Sequence, residues 1–276
     1  MNLISRVFSY QKTIFWALCL LSLLSFPSLS YAQSDAPEQP YKATTVDECI
    51  QEKACFWHHF LLAIQVSSIE RKVSENINIK KWTRPIRFRR FGRPEDVPRN
   101  MVNEYIRQIE PFIAQSISAD TKYNFSIIFT DDIERDLSGS YNGVFTDTFG
   151  RNVPLEAYRL DQKLRGEKCY HFNIQNSNRQ LDLSGYFTFI QRDHSDVESC
   201  LKKAIYKGFG LDDISYTPIV KTHNNVKTYS KLELALMQLL YQDFFKSGMT
   251  FSEVEMVFNK IYTPFIKLSS EPDALK

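Results

Sequence analysis

Residues 196–213 read DVESCLKKAIYKGFGLDD. The run predicts a helix from Asp196 to Phe209, halted where Gly208 and Gly210 offer the backbone freedom that suits a helix C-terminus. Asp212 and Asp213 follow at once, where solvated aspartates commonly end an element. Upstream, Cys169 to Ile174 and Ser184 to Ile190 carry strand patterns separated by the turn-rich Gln175-Asn176-Ser177-Asn178. Strands that give way to a helix and then to a helical C-terminal part point to an α+β domain.

Farther upstream, Tyr123 to Thr130 forms a compact apolar strand closed by Asp131 and Asp132. Before it, Met101, Val102, Tyr105, Ile106, Ile109, Phe112, Ile113 and Ile117 fall on one stripe for about five helical turns, announced by Pro98 and Asn100. Trp82 to Phe91 alternates, with Ile86 and Phe88 on one side and Arg87 and Arg89 on the other, the pattern of a half-buried strand. Phe56, Phe60, Ala63, Ile64, Ser67 and Ile69 repeat at helical spacing, so an amphipathic helix is predicted from Cys55 to about Ser74. Residues 134–166 contain Gly139, Gly143, Gly150 and Pro154 without a sustained period and read mostly as loop. Downstream, two capping boxes open helices: Ser230 with Glu233, running to Phe244, and Thr250 with Glu253, running to Ile261. Ser247-Gly248-Met249 separates them.

At the start of the chain, Arg6 and Lys12 precede the apolar run Thr13 to Phe26, and Ser30-Tyr31-Ala32 places small residues at the minus-three and minus-one positions of a cleavage site. The run falls short of the roughly 20 apolar residues that a membrane-spanning helix needs, so a signal peptide cut after Ala32 is expected rather than an anchor. A lipoprotein signal is disfavoured because Cys19 lies inside the run, behind bulky Leu18. Cleavage removes Arg6 and Lys12 and no acid, which leaves 32 basic residues facing 32 acidic ones. That balance gives no general attraction to nucleic acid or anionic lipid. The expectation is a periplasmic or secreted protein that is not integral to a membrane after cleavage. Its parts are a signal peptide (1–32), a flexible leader (33–46), an N-terminal helical extension (47–78) and a main domain (79–268).

Four cysteines remain after such a cut: Cys49, Cys55, Cys169 and Cys200. An even number in an exported chain reads as two disulfides with three formal connectivities. Pairing Cys49 with Cys55 and Cys169 with Cys200 is favoured. The first pair requires a turn between its members, because one continuous helix would point them apart. A zinc site is the alternative, but ligand pairs usually stand closer, as in C-x2-C, and no histidine pair has ligand spacing nearby.

Three places carry a resemblance through their order and spacing. They are Trp82 with Pro85-Ile86; Cys200 with the helix ending Gly208-Phe209-Gly210-Leu211-Asp212-Asp213; and Leu239-Leu240-Tyr241 leading to Gly248-Met249-Thr250. From about Ile79 to Tyr262 the chain resembles a bacterial family known as domain of unknown function 2927, whose fold is similar to that of the zincin metallopeptidases. The resemblance implies a zincin-like domain: a twisted mixed β-sheet with packed helices and a helical C-terminal part.

A zincin carries H-E-x-x-H-x-x-G on this helix, with two histidines that hold Zn2+ and a glutamate that acts on the bound water. With that glycine at Gly210, Lys203 and Lys207 occupy the histidine places and Ala204 the glutamate place. Protonated lysine has no lone pair for a dication, and alanine accepts no proton. The family generally keeps a carboxylate where Ala204 stands, so this chain departs further. No metal, no cofactor and no zinc peptidase activity are expected.

His58 and His59 are adjacent on a helix and diverge by about 100 degrees, which predicts one near the core and one at the surface. His171 lies in a strand, His194 in a turn and His223 in a polar loop. The sequence has neither a G-x-S-x-G elbow nor a phosphate loop. Lys80, Lys81, Arg84, Arg87, Arg89, Arg90 and Arg93 crowd around Trp82, Phe88 and Phe91, a possible binding ridge for an envelope protein or another anionic surface component. A charged edge strand protected against aggregation would have the same composition. Nucleic acid is disfavoured by the compartment. The expected function is noncatalytic binding of another macromolecule; the alternative is a diverged hydrolase using Asp212, Asp213 and a loop histidine.

Overall fold

Runs rich in β-branched and aromatic residues pair into a five-stranded sheet: β1 (Ile86–Phe91), β2 (Ile117–Ala119), β3 (Phe125–Thr130), β4 (Cys169–Gln175) and β5 (Leu183–Gln191), in the order β2-β1-β3-β5-β4. The helices are α1 (Val46–Gln51), α2 (Lys53–Ala63), α3 (Met101–Ile109), α4 (Ile133–Ser138), α5 (Val197–Gly208), α6 (Pro218–Lys221), α7 (Lys231–Leu240) and α8 (Phe251–Ser270). This computed structural model describes residues 41–65, 79–92, 100–119, 123–139, 155–160, 168–175, 182–192, 196–221 and 227–270. The expected signal peptide, the leader through residue 40, Arg93, His194 and His223 lie outside the described residues. No helix among those described is long and apolar enough to cross a membrane.

Strands β1, β2, β3 and β5 run parallel and β4 runs antiparallel to β5, so the sheet is mixed, as expected, and mostly parallel. β3 is buried along its whole length, as a central strand covered on both faces must be. Phe125, Ile127, Tyr186 and Ile190 enter the larger core with α2, α3, α5, α7 and α8, while Ile128, Phe187 and Phe189 enter a smaller one with Ile133 and Leu137 of α4. In the larger core Phe56 and Phe60 of α2 pack against Phe258 of α8, so residues upstream of 79 share it.

α5 stops for a local and a tertiary reason. Gly210 takes φ +100, and a Cβ there would overlap the Lys80 carbonyl oxygen; a Cβ on Gly208 would overlap the rings of Phe125 and Tyr186. The Trp82 indole N–H donates to the Gly208 carbonyl at 2.8 Å, and the Tyr241 hydroxyl donates to the Phe209 carbonyl at 3.1 Å while accepting from the Trp82 amide at 3.3 Å. Members of all three motif places thus meet at one helix end.

Several sequence expectations change. The helix foreseen from Cys55 to about Ser74 ends at Ala63, where Gln65 turns the chain at φ 60. The stripe from Met101 to Ile117 is no single helix: α3 ends at Ile109, Pro111 lies in a 3-10 turn, and Ile117 opens β2. Proline lacks the N–H the helix needs and its ring crowds the preceding turn. The loop expected over 134–166 contains most of α4, capped by Asp132 accepting from the Arg135 amide at 2.9 Å, and a helical run at 155–160. α7 ends at Leu240 rather than Phe244. Order begins before Val46, since Tyr41 and Ala43 are buried and the Glu52 carboxylate accepts from the Lys42 and Ala43 amides. β1 has neighbours on both sides and is not an edge strand.

Both capping boxes form as read, at Ser230 with Glu233 and at Thr250 with Glu253. Glu52, in extended backbone conformation, supplies the turn between α1 and α2, and Cys49 and Cys55 lie at disulfide distance with Cα atoms 5.0 Å apart. Cys169 and Cys200 do so with Cα atoms 6.1 Å apart, which is consistent with the favoured connectivity. Gly210→Ala is expected to lose roughly 1–3 kcal/mol from the backbone conformation alone, with the overlap against Lys80 adding to it. Urea unfolding measures this loss; an unchanged midpoint would show that Lys80 does not fix the end of α5.

Candidate functional site

Cys200, Lys203, Ala204 and Lys207 recur at helical spacing, so one face of α5 presents all four. That face meets β4, the last strand of the sheet, where Cys169 and His171 alternate with residues of the smaller core. Cys169 and Cys200, at disulfide distance, face each other from the two walls. Between them lies an open cleft of about 240 Å³ lined by Lys168, His171, Ser199, Lys203, Lys207 and Asp213, among others. A smaller extension, reached past Lys207 and His171, is lined by Gln65, Lys80, Asn173 and Asp212.

The turn at Gly210 brings the chain back so that each lysine of the exposed face meets an aspartate. Lys207 Nζ lies 2.8 Å from Asp212 Oδ1, and Lys203 Nζ lies 3.1 Å from Asp213 Oδ2. Asp212 Oδ1 also accepts from the Asp213 amide at 2.9 Å, and its Oδ2 accepts from the Gln65 side-chain amide at 2.5 Å. Asp213 accepts from the Ser215 amide at 2.9 Å and from the Ser215 hydroxyl at 3.0 Å. Burial works against ionisation of Asp212, but Lys207, Gln65 and the Asp213 amide outweigh it and hold the carboxyl below the usual carboxylate range. Lys80 donates to Gln65 Oε1 at 3.3 Å, and its own burial lowers its pKa despite the nearby Asp212.

The sequence-derived positions Lys203, Ala204, Lys207 and Gly210 are therefore together at the cleft or its rim, and Asp212 and Asp213 are ion-paired rather than merely solvated. Sequence reasoning passed over Gln65, Lys168 and Ser199 as site residues; the positive φ of Gln65 belongs to the folded backbone and has no sequence signature. Among the described residues, the members of the basic ridge face different surroundings. Lys80 turns into the cleft extension, and Lys81 donates to the Gln242 carbonyl at 3.2 Å. Arg84, Arg87 and Arg89 are exposed, Arg89 standing 4.8 Å over the Phe91 ring, whereas Arg90 is half-buried.

The cleft does not suit a metal, because its two helical positions carry ammonium groups already engaged by carboxylates. Among the described residues, Cys49, Cys55 and His59 cluster as three possible ligands. There the sulfurs lie at disulfide distance, and His59 Nδ1 is 2.9 Å from the Cys55 carbonyl oxygen. His59 is fully buried, which lowers its pKa, and His58 is half-buried, close to the division read from their adjacency.

A depressed carboxyl pKa stabilises the fold above the unfolded value, about 4 for aspartate, and the contribution disappears as pH falls through the folded value. Asp212→Asn should therefore be less stable than the wild type at pH 7, and the two should converge at an acid pH below the folded value. Urea unfolding at both pH values reads the difference; a gap that persists in acid would exclude the ionised carboxylate as its source.

The family comparison matches residues 64–260 to a protein family of unknown function, DUF2927. No curated protein and no solved structure matches the chain. The matched span contains β1 through β5, the α5 cleft and its two lysine–aspartate pairs, and it covers most of the chain. The protein belongs to the DUF2927 family.

Proposed function

We propose that this protein is exported, is noncatalytic, and binds another macromolecule through the cleft between β4 and α5 of a zincin-like frame. The observation that carries the proposal is the pairing of Lys203 with Asp213 and of Lys207 with Asp212. In a zincin those two helical positions are metal ligands; here each is a cation neutralised by its own carboxylate. Ala204, at the position of the general base, is buried and offers a methyl group. The basic n-region, the apolar run and the small residues before Gln33 support export, as do two cysteine pairs at disulfide distance.

The partner class is an envelope protein or another anionic surface component. A diverged hydrolase would require Asp212 or Asp213 to accept a proton from water or substrate. His171 does line the same cleft, from a strand rather than a loop, but every carboxylate oxygen of the two aspartates already accepts a hydrogen bond. Binding is therefore favoured over catalysis.

Protein recovered from the periplasm without added metal should contain no stoichiometric zinc and show no chelator-sensitive peptidase activity. Elemental analysis with a peptide-library assay measures both; one zinc per chain, lost together with a hydrolytic activity, would overturn the proposal. A photo-crosslinking residue at Ser199 should capture a macromolecular partner in the intact envelope.

A further inference from the structure

The cleft keeps N–H donors that its own carboxylates do not take up. Both oxygens of Asp212 and both of Asp213 already accept, from Lys207, Gln65, the Asp213 amide, Lys203 and Ser215. An ammonium has three N–H donors, and Lys203 and Lys207 each direct one at the facing aspartate. Their side chains remain 43% and 25% exposed, respectively. Lys168, on the opposite wall, is exposed and has no ion-pair partner among the described residues. Ser199 adds a hydroxyl from the first turn of α5. Asp196 lines the cleft as well, and it is engaged in interactions of its own.

We infer that the cleft takes an anionic group that only accepts hydrogen bonds, a carboxylate or a phosphate, held by Lys168, Lys203 and Lys207. Its volume of about 240 Å³ suits one small acidic group rather than a drug-sized ligand, for which pockets start near roughly 300 Å³. The inference deepens the macromolecule-binding proposal and rests on it, by naming the group on the partner that the cleft selects.

The test uses protein expressed from its full coding sequence and titrated, at constant ionic strength, with inorganic phosphate in one arm and glutarate in the other. Amide signals from Ser199 to Lys207 are followed by NMR. At least one anion should produce saturable shifts there, and the tighter of the two identifies phosphate or carboxylate as the source. Lys168→Gln and Lys203→Gln should each weaken that binding about tenfold, the usual effect of losing a charged hydrogen bond. Lys168→Gln leaves both ion pairs of α5 in place, so it remains informative if Lys203→Gln disturbs folding. Absence of saturable shifts with both anions, or affinity left unchanged by a folded variant, would overturn the inference. Capture of a partner equally well by wild type and by both variants would also overturn it, while leaving macromolecule binding intact. Stoichiometric zinc with hydrolysis would instead remove the binding proposal itself.

Discussion

The rest of the structure depends on how the C-terminal end of α5 is satisfied. A helix ends with carbonyls that have no partner inside it, and here that end is buried against the sheet. Each is accounted for. The Phe209 amide reaches the Ile205 and Tyr206 carbonyls, the Gly210 amide reaches Lys207, the Trp82 indole reaches Gly208 and the Tyr241 hydroxyl reaches Phe209. Burial raises the Tyr241 pKa, so its hydroxyl remains a neutral donor. Because Trp82 leads into β1 and Tyr241 closes α7, this one set of bonds fixes sheet, helix and C-terminal part together.

The opposite face of α5 is fixed by a different chemistry. Lys202 and Glu233 are both nearly fully buried, 3.4 Å apart, with the Tyr229 hydroxyl donating to the Lys202 carbonyl and the Tyr206 hydroxyl to the Glu233 carbonyl. Such a pair gains little net stability after desolvation, but removing one member alone would leave a buried charge at a cost of about 3–5 kcal/mol. Its structural effect is on rotation. Lys202 held at the back leaves Lys203, about 100 degrees around the helix, facing β4. The adjacent Lys202 and Lys203 thus have separate roles.

The walls of the cleft are tied to each other and to α2. Cys169 and Cys200 lie at disulfide distance across its walls, and the Gln65 side chain ties the end of α2 to Asp212 while accepting from Lys80. A partner would therefore lose less conformational freedom at this surface than at a mobile loop. The ion pairs are partly exposed, so their contribution to stability is modest and salt-sensitive. Their larger effect is to keep both aspartates occupied and both lysines oriented.

Local patterns in the chain determined most of the elements and the outline of the site. Alternation gave β1, a compact apolar run gave β3, strand patterns around a turn-rich stretch gave β4 and β5, the capping boxes gave the starts of α7 and α8, and the glycines gave the end of α5. The spacing of Lys203, Ala204 and Lys207 put them on one helix face, because side-chain direction in a helix follows from the backbone period. Pro111 was visible in the sequence, yet the unbroken apolar stripe concealed both the end of α3 and β2. The tertiary structure alone decided that Asp212 and Asp213 meet the two lysines, that Lys80 and Lys81 leave the basic cluster, and that β4 forms the other wall. Those outcomes depend on contacts between residues distant in sequence, such as Gln65 with Asp212 and Trp82 with Gly208, and no periodicity along the chain encodes which distant partners will meet.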